Sequence, residues 1–119
     1  MGIARRVLAW ERAPVRSHVD ITLLSAAAMR RANRRATGRR GVTDVIAYAL
    51  PQPDGRLLGD VYICPAAAAQ QGTALNEELI RLAVHGTLHV LGYDHPEGAG
   101  RMRSRMWRLQ ERYVARLVG

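Results

Sequence analysis

The spacing of apolar and polar residues divides the chain into helices and strands. Helices are predicted at residues 3–13, 26–36, 77–91 and 98–118. Strands, marked by alternation or by β-branched residues, are predicted at residues 19–24, 44–50 and 59–64. The Pro- and Gly-containing segment 51–55 between the last two strands favours a hairpin. The order α, β, α, β, β, α, α predicts an α+β fold in which helices cover a small mixed β-sheet.

Short polar residues and glycines mark the predicted helix ends. Ser25 and Asn76 are expected to cap the second and third helices, because their side-chain oxygens can accept backbone N–H groups. Gly38 and Gly92 are expected at helix C-termini, where glycine readily adopts a positive φ. Pro14 is expected to end the first helix.

The last predicted helix has an apolar face and a basic face. Its apolar stripe consists of Met102, Met106, Leu109, Tyr113 and Leu117. A row with i, i+4, i+7 and i+11 spacing consists of Arg101, Arg105, Arg108 and Arg112. We interpret the stripe as core and the arginine row as a solvent-exposed face, with a second phosphate-binding track as the alternative.

The length and net charge of the chain limit which kinds of protein it can be. The 119 residues suffice for one domain, so residues 1–119 are predicted to form a single domain. The net charge is +8, and all 18 basic residues are arginine, which favours a polyanion such as nucleic acid or an anionic membrane surface. No segment approaches the ~20 apolar residues of a membrane span, and the N-terminus does not resemble a signal peptide. The single cysteine, Cys64, excludes an intramolecular disulfide, fits a reducing cytoplasm and is interpreted as buried filler.

Three of the four histidines lie within eleven residues. His85 and His89 are four apart, which places them on one face of the predicted helix. Gly92 then allows the chain to turn back, so that His95 can complete a three-histidine zinc site. Three protein ligands leave the fourth tetrahedral position open, as in catalytic zinc sites. His18, the fourth histidine, is interpreted as an ordinary side chain.

The histidine spacing also resembles the H-E-x-x-H-x-x-G-x-x-H motif of metalloproteases. Position 86 is Gly where those proteases have their general-base Glu, so peptide hydrolysis by that mechanism lacks its proton acceptor. Asp94 and Asp60 are candidates to replace the base or to orient a histidine.

Three blocks of sequence resemble the YbeY endoribonucleases, or ribosomal RNA maturation factors. Residues 85–95 read HGTLHVLGYDH and match the family signature H-G-x-L-H-L-x-G-Y-D-H except for Val90. Residues 43–48 (TDVIAY) resemble T-D-V-L-S-F, and residues 58–63 (LGDVYI) resemble L-G-D-I-V-I. The resemblance covers residue 19 to the C-terminus, and we expect an opening strand of longer relatives to be missing.

The resemblance implies a zinc-dependent, single-strand-specific endoribonuclease with one zinc per chain, bound by His85, His89 and His95. It implies action in 16S rRNA 3′-end maturation and ribosome quality control in the cytoplasm, with precursor rRNA and the small ribosomal subunit as partners and no membrane. Some members carry a substrate-binding Arg four residues after an Asn that matches Asn33, where this chain has Thr37. Whether that role passes to Arg34, Arg35, Arg39 or Arg40, or is absent, is left open by the sequence.

Six arginines lie between positions 30 and 40, and such density favours contact with an RNA backbone. The candidate RNA contacts are Arg34, Arg35, Arg39 and Arg40. The alternative is a solvated helix face in an arginine-rich protein. Tyr93 is interpreted either as a base-stacking residue or as packing for the turn.

Two other functions remain open. The first is a metallohydrolase of peptides or small molecules, which the missing Glu and the basic charge disfavour. The second is a noncatalytic, zinc-stabilised ribosome-binding factor, which the open coordination position disfavours.

Overall fold

Five α-helices and three β-strands occur in the computed structural model, which describes residues 2–39, 41–95 and 98–119. The helices are α1 (Ile3–Trp10), α2 (Ala26–Thr37), α3 (Pro65–Ala68), α4 (Leu75–Val90) and α5 (Arg105–Val118). The strands are β1 (His18–Leu23), β2 (Val45–Pro51) and β3 (Leu57–Ile63). Short 3-10 helices span Ala69–Gln71 and Gly98–Arg103.

The three strands form the mixed sheet that the sequence predicts. Its order is β1-β3-β2, with β1 parallel and β2 antiparallel to β3, so the predicted hairpin is confirmed. Gly59 and Val61 of β3 face α4, because a Cβ atom on Gly59 would lie 2.6 Å from the Val90 side chain and one on Gly86 would lie 2.5 Å from Val61. α4 therefore packs directly on one face of the sheet.

The apolar core lies on both sides of α4. One cluster joins α4 to the sheet and α1 and includes Val61, Ile63 and Leu82. A second cluster joins α4 to α5 and α1 and includes Leu88 and Met106. α4 is consequently the central helix, and its C-terminal turns are enclosed by three other elements. No helix among the described residues is long and apolar enough to cross a membrane.

Most of the predicted helix ends are confirmed. The Ser25 hydroxyl accepts a hydrogen bond from the Ala28 N–H, and Gly38 and Gly92 have φ of 74° and 100°. The prediction for Asn76 is wrong. α4 begins at Leu75, and Ala74 occupies the N-cap position without a side-chain hydrogen bond. Asn76 therefore lies inside the first turn, where it cannot act as an N-cap.

Two predicted helices end or begin elsewhere. α1 ends at Trp10 rather than residue 13, because the chain turns through Arg12 at a φ of 55°. The last helix is interrupted at Ser104, which adopts extended backbone and caps α5 by accepting from the Trp107 N–H. Met102 consequently leaves the predicted apolar stripe and is 65% exposed. The arginine row is likewise broken, because Arg101 lies in the 3-10 helix and not on α5.

The sequence analysis also missed the short helix α3 and the 3-10 helix after it. α3 has Pro65 at its first position, where a missing N–H causes no loss. Cys64 precedes it and is fully buried, as predicted.

Candidate metal centre

The three histidines of the signature converge at the C-terminal end of α4. Their candidate ligand atoms all lie within 4.8 Å of one another. The His95 ring centroid is 5.1 Å from those of both His85 and His89, which are 4.6 Å from each other. His85 is buried, whereas His89 and His95 are partly exposed. The histidines thus form one cluster with a solvent-facing side.

The turn after α4 brings His95 back to the helix. The Gly92 N–H donates to the His89 carbonyl, and the Tyr93 N–H donates to the Leu88 carbonyl. This pair of bonds, with Gly92 at positive φ, is a Schellman motif. The motif reverses the chain within two residues, which is why a contiguous stretch of sequence can place three histidines around one point.

Hydrogen bonds fix the tautomers of two histidines. The Nδ1 of His89 lies 3.0 Å from the Tyr93 carbonyl oxygen, which can only accept, so His89 carries its proton on Nδ1. The Nδ1 of His85 lies 2.7 Å from Oε1 of Gln110. The Gln110 amide nitrogen donates to Glu111, so its oxygen faces His85 as an acceptor. Both histidines therefore have a bare lone pair on Nε2.

These two lone pairs fit a metal ion. The Nε2 atoms of His85 and His89 are 3.0 Å apart, and two nitrogens on one tetrahedral zinc lie roughly 3.3 Å apart. Burial lowers the pKa of His85 to about 4 and also lowers the pKa of His89, so both rings are neutral near pH 7. Neutral imidazoles are the form that binds metals. The donor set is therefore suited to a divalent ion such as zinc.

A chain of polar groups supports His85 from α5. Gln110 is 1% exposed, and its partner Glu111 receives two hydrogen bonds from Arg81, at 2.8 and 2.9 Å. Arg81 also donates to Glu78 at 3.0 Å. The sequence analysis missed Gln110. Its position beside Met106 and Tyr113 on the apolar face of α5 is the signal that could have revealed it.

A second set of contacts supports the turn. The Tyr93 hydroxyl donates to one oxygen of Glu11 at 2.5 Å, and the Tyr113 hydroxyl donates to the other. Burial, followed by the bond to Glu11, raises the pKa of Tyr113 to about 12. Tyr93 therefore packs the turn, which favours the second interpretation of this residue. Nothing in the local sequence indicates that Glu11, 82 positions away, is its partner.

The structure separates the aspartates that the sequence proposed. Asp60 pairs with Tyr48 and Asp20 across the sheet, so it lies on the face opposite to Val61 and the histidines. A contact of Asp60 with the metal is thus excluded by the period-two alternation of a strand. Asp94 remains beside the site, where its Oδ1 accepts from the His95 N–H at 2.8 Å.

A cavity of about 290 Å³ opens next to His85. The charged residues that line it are Asp44, Glu78, Arg81 and Arg101, and Trp107 forms part of its wall. Burial raises the pKa of the Asp44 carboxyl. Asp44, rather than Asp60, is the aspartate that shares a cavity with a metal-site histidine.

The predicted RNA-binding arginines lie elsewhere on the surface. Arg34, Arg35 and Arg39 are exposed on or just after α2, and Arg40 lies outside the described residues. Arg34 lines a groove of about 530 Å³ with Arg30 and Arg31, and no histidine lines it. The two described cavities that His85 does line contain none of these arginines. Thr37 donates a hydrogen bond to the Asn33 carbonyl and is exposed.

Comparisons with known proteins extend the family resemblance beyond residue 19, to almost the whole chain. The family model described as Endoribonuclease YbeY matches residues 2–118. An Endoribonuclease YbeY from Micrococcus luteus is 35% identical over 131 residues, covering 100% of this chain and 82% of its own length. One from Mycobacterium tuberculosis H37Rv is 34% identical, covering 97% of this chain and 75% of its own. The solution structure of TM1509 from Thermotoga maritima superposes with a TM-score of 0.58 at 27% identity, over 94% of this chain and 71% of that one.

Proposed function

This chain belongs to the Endoribonuclease YbeY family, and we propose that it is a zinc-dependent, single-strand-specific endoribonuclease with His85, His89 and His95 as the metal ligands. The observation that carries the proposal is the pair of bare Nε2 lone pairs held 3.0 Å apart, with His95 closing the third side. One zinc per chain would satisfy all three donors and leave a coordination position open for reaction.

The protein's own residues prepare the site for this chemistry. The Gln110 amide oxygen and the Tyr93 carbonyl hold the two Nδ1 protons, so the Nε2 atoms point at the ion without rearrangement. Zinc, when bound, lowers the pKa of a water molecule toward ~7 and polarises a phosphoryl oxygen. The partly exposed rings of His89 and His95 leave the site accessible to a single strand from solvent.

The substrate and setting follow from the family and the charge. A net charge of +8 favours RNA over neutral or cationic substrates. We propose that residues 1–119 act as one domain on precursor ribosomal RNA, in 16S rRNA 3′-end maturation and ribosome quality control, with the small ribosomal subunit as partner and the cytoplasm as location. The exposed arginines on and just after α2, among them Arg34, Arg35 and Arg39, together with Arg40, are proposed to contact RNA away from the cleavage point.

The packing of Gly86 argues against a peptidase. Any side chain at this position would meet Val61 at 2.5 Å, so the metalloprotease Glu has no space here. The helix faces the sheet at the position where those enzymes place their general base.

Cleavage of single-stranded RNA by the zinc-loaded protein tests the proposal. His89→Ala removes a ligand, and His18→Ala is the matched control because His18 is exposed and pairs with Asp20 at 2.7 Å. We expect wild type and His18→Ala to cut, a chelator to stop both, and His89→Ala to lose zinc and cleavage together.

Three outcomes would contradict the proposal. Equal cleavage by all three proteins would locate the activity elsewhere or in a contaminant. Absence of cleavage with retained RNA binding would favour the noncatalytic ribosome-binding factor, and chelator-sensitive peptide cleavage would favour the peptide hydrolase.

A further inference from the structure

Arg101 lines a cavity beside the metal centre, and none of the predicted RNA-binding arginines in the described residues lines that cavity. It belongs to the 3-10 helix Gly98–Arg103, which precedes α5 in the chain. Its side chain lines the cavity of about 290 Å³ that His85 also lines. A cation at this position can therefore reach a ligand that enters the cavity toward the metal.

Two carboxylates, Asp44 and Glu78, also line the cavity, and neither forms a salt bridge with Arg101. Arg81, the other arginine in the lining, is already bound by Glu111, Glu78 and Glu77. Arg101 forms no salt bridge with any residue in the described part of the chain. Its planar fork of five donors thus remains suited to phosphate oxygens.

An aromatic side chain holds the Arg101 guanidinium. Its Cζ atom lies 5.8 Å from the centroid of the Trp107 ring, in a cation–π arrangement. Ser104 links the backbones of the two residues, because its hydroxyl accepts from the Trp107 backbone N–H at 3.1 Å and donates to the Arg101 carbonyl at 2.8 Å. This cation–π contact places the guanidinium over the ring without using its hydrogen-bond donors.

We propose that Arg101 contacts the RNA phosphate at the metal and that Trp107 positions its guanidinium. The inference rests on the proposed endoribonuclease function and adds to it the residue that binds the reacting phosphate. The interruption of the last helix at Ser104 is then functional, because a continuous helix would lack the turn that presents Arg101 to the cavity.

The test compares Arg101→Ala with Arg103→Ala, because Arg103 is an exposed arginine of the same 3-10 helix that does not line the cavity. With zinc content unchanged in both, we expect Arg101→Ala to lower kcat/KM for single-stranded RNA about a hundredfold. Arg101→Lys should recover part of this loss, because it restores the charge without the fork. Arg103→Ala should remain within about threefold of wild type, as a rim charge that makes no specific contact.

A binding measurement separates this inference from the proposed function. For zinc-loaded protein and a short fluorescent single-stranded RNA, losing one phosphate contact should reduce the slope of log affinity against log salt by about 0.7. We expect that reduction in Arg101→Ala and not in Arg103→Ala. If wild type fails to cleave RNA, the proposed function fails, but the Arg101 contact is still decided by these slopes.

Equal kinetics or equal salt slopes for the two alanine variants would overturn the inference, because a general charge effect would then explain both. Loss of zinc in Arg101→Ala alone would also overturn it, since Arg101 would then support the metal rather than the RNA.

Discussion

His85 and His95 belong to the same histidine cluster but lie in different local environments. His85 lies on α4, is 5% exposed and is supported by Gln110 from α5. His95 lies in the turn that follows α4 and is partly exposed. We call residues 85–89 the helical half of the metal centre and residues 92–95 the turn half.

The two halves depend on different kinds of interaction. Gly86 packs against Val61 in the helical half, so the position of His85 is tied to the packing of the whole core. The turn half is held by the Schellman motif and by the bond from Tyr93 to Glu11. Changes to the packing of the helical half should therefore cost more stability than comparable changes in the turn half.

The largest expected effect is a loss of stability when the metal-free protein is acidified, and it originates in the helical half. The pKa of His85 is about 4 in the folded protein against 6.5 for an ordinary histidine, so the unfolded chain takes up the proton first. The free energy of unfolding should consequently fall between pH 6.5 and pH 4, by about 3 kcal/mol, since one pKa unit corresponds to about 1.4 kcal/mol. Urea denaturation at several pH values measures this. His85→Gln should flatten the dependence, and an equally steep dependence in that variant would assign the effect to other groups.

Gly86→Ala and Gly92→Ala compare the packing of the halves directly. The added methyl group at residue 86 would overlap Val61, and we expect a loss of about 2 kcal/mol in the free energy of unfolding. At residue 92 the space is open, but φ is 100°, so backbone strain should cost about 1 kcal/mol. Thermal and urea unfolding of the metal-free variants would show the order. A larger loss for Gly92→Ala would reverse the comparison.

Gln110→Ala tests the support of the helical half. Without the amide oxygen, the tautomer and orientation of His85 are no longer fixed, and zinc affinity should fall about tenfold, or about 1.4 kcal/mol. Leu109→Ala is the matched control, because it removes apolar packing from the same helix without removing a hydrogen-bond partner of a histidine. Competition with a zinc chelator gives both affinities. The role of Gln110 is refuted if the two variants bind zinc equally.

The smallest expected effect is the difference in zinc affinity between Tyr93→Phe and Tyr113→Phe. Both hydroxyls donate to Glu11, but only Tyr93 belongs to the turn half. Loss of the Tyr93 hydroxyl should weaken zinc binding about threefold, because only part of the free energy of this charge-assisted hydrogen bond affects the metal site. Tyr113→Phe should lower stability and leave zinc affinity unchanged. Equal zinc affinities in the two variants would mean that Glu11 supports the fold alone.

Local sequence was enough to identify the histidine cluster. The four-residue spacing of His85 and His89 and the glycine that ends α4 are contacts of near neighbours, so their geometry follows from helix periodicity and from backbone freedom at Gly92. The mixed sheet was also predictable, because its hairpin and alternation are local. Asn76 was misassigned because cap preference is a weak signal that tertiary packing overrides.

The contacts between distant parts of the chain could not be predicted. Glu11 and Tyr93 are far apart in sequence, and so are Gln110 and His85. Side chains alternate between the two faces along β3, and the register with Asp20 and Tyr48 places Asp60 on the face of the sheet that points away from the histidines.

By itself, the sequence determined the family, the mixed sheet with its covering helices and the three histidines that meet after α4, because these features depend on short-range periodicity and on residue type. Only the tertiary structure decided which side chains orient those histidines and which arginine lies at the cavity. Gln110 and Arg101 acquire these positions through the packing of α5 and the break at Ser104, and such contacts depend on the whole core rather than on neighbouring residues.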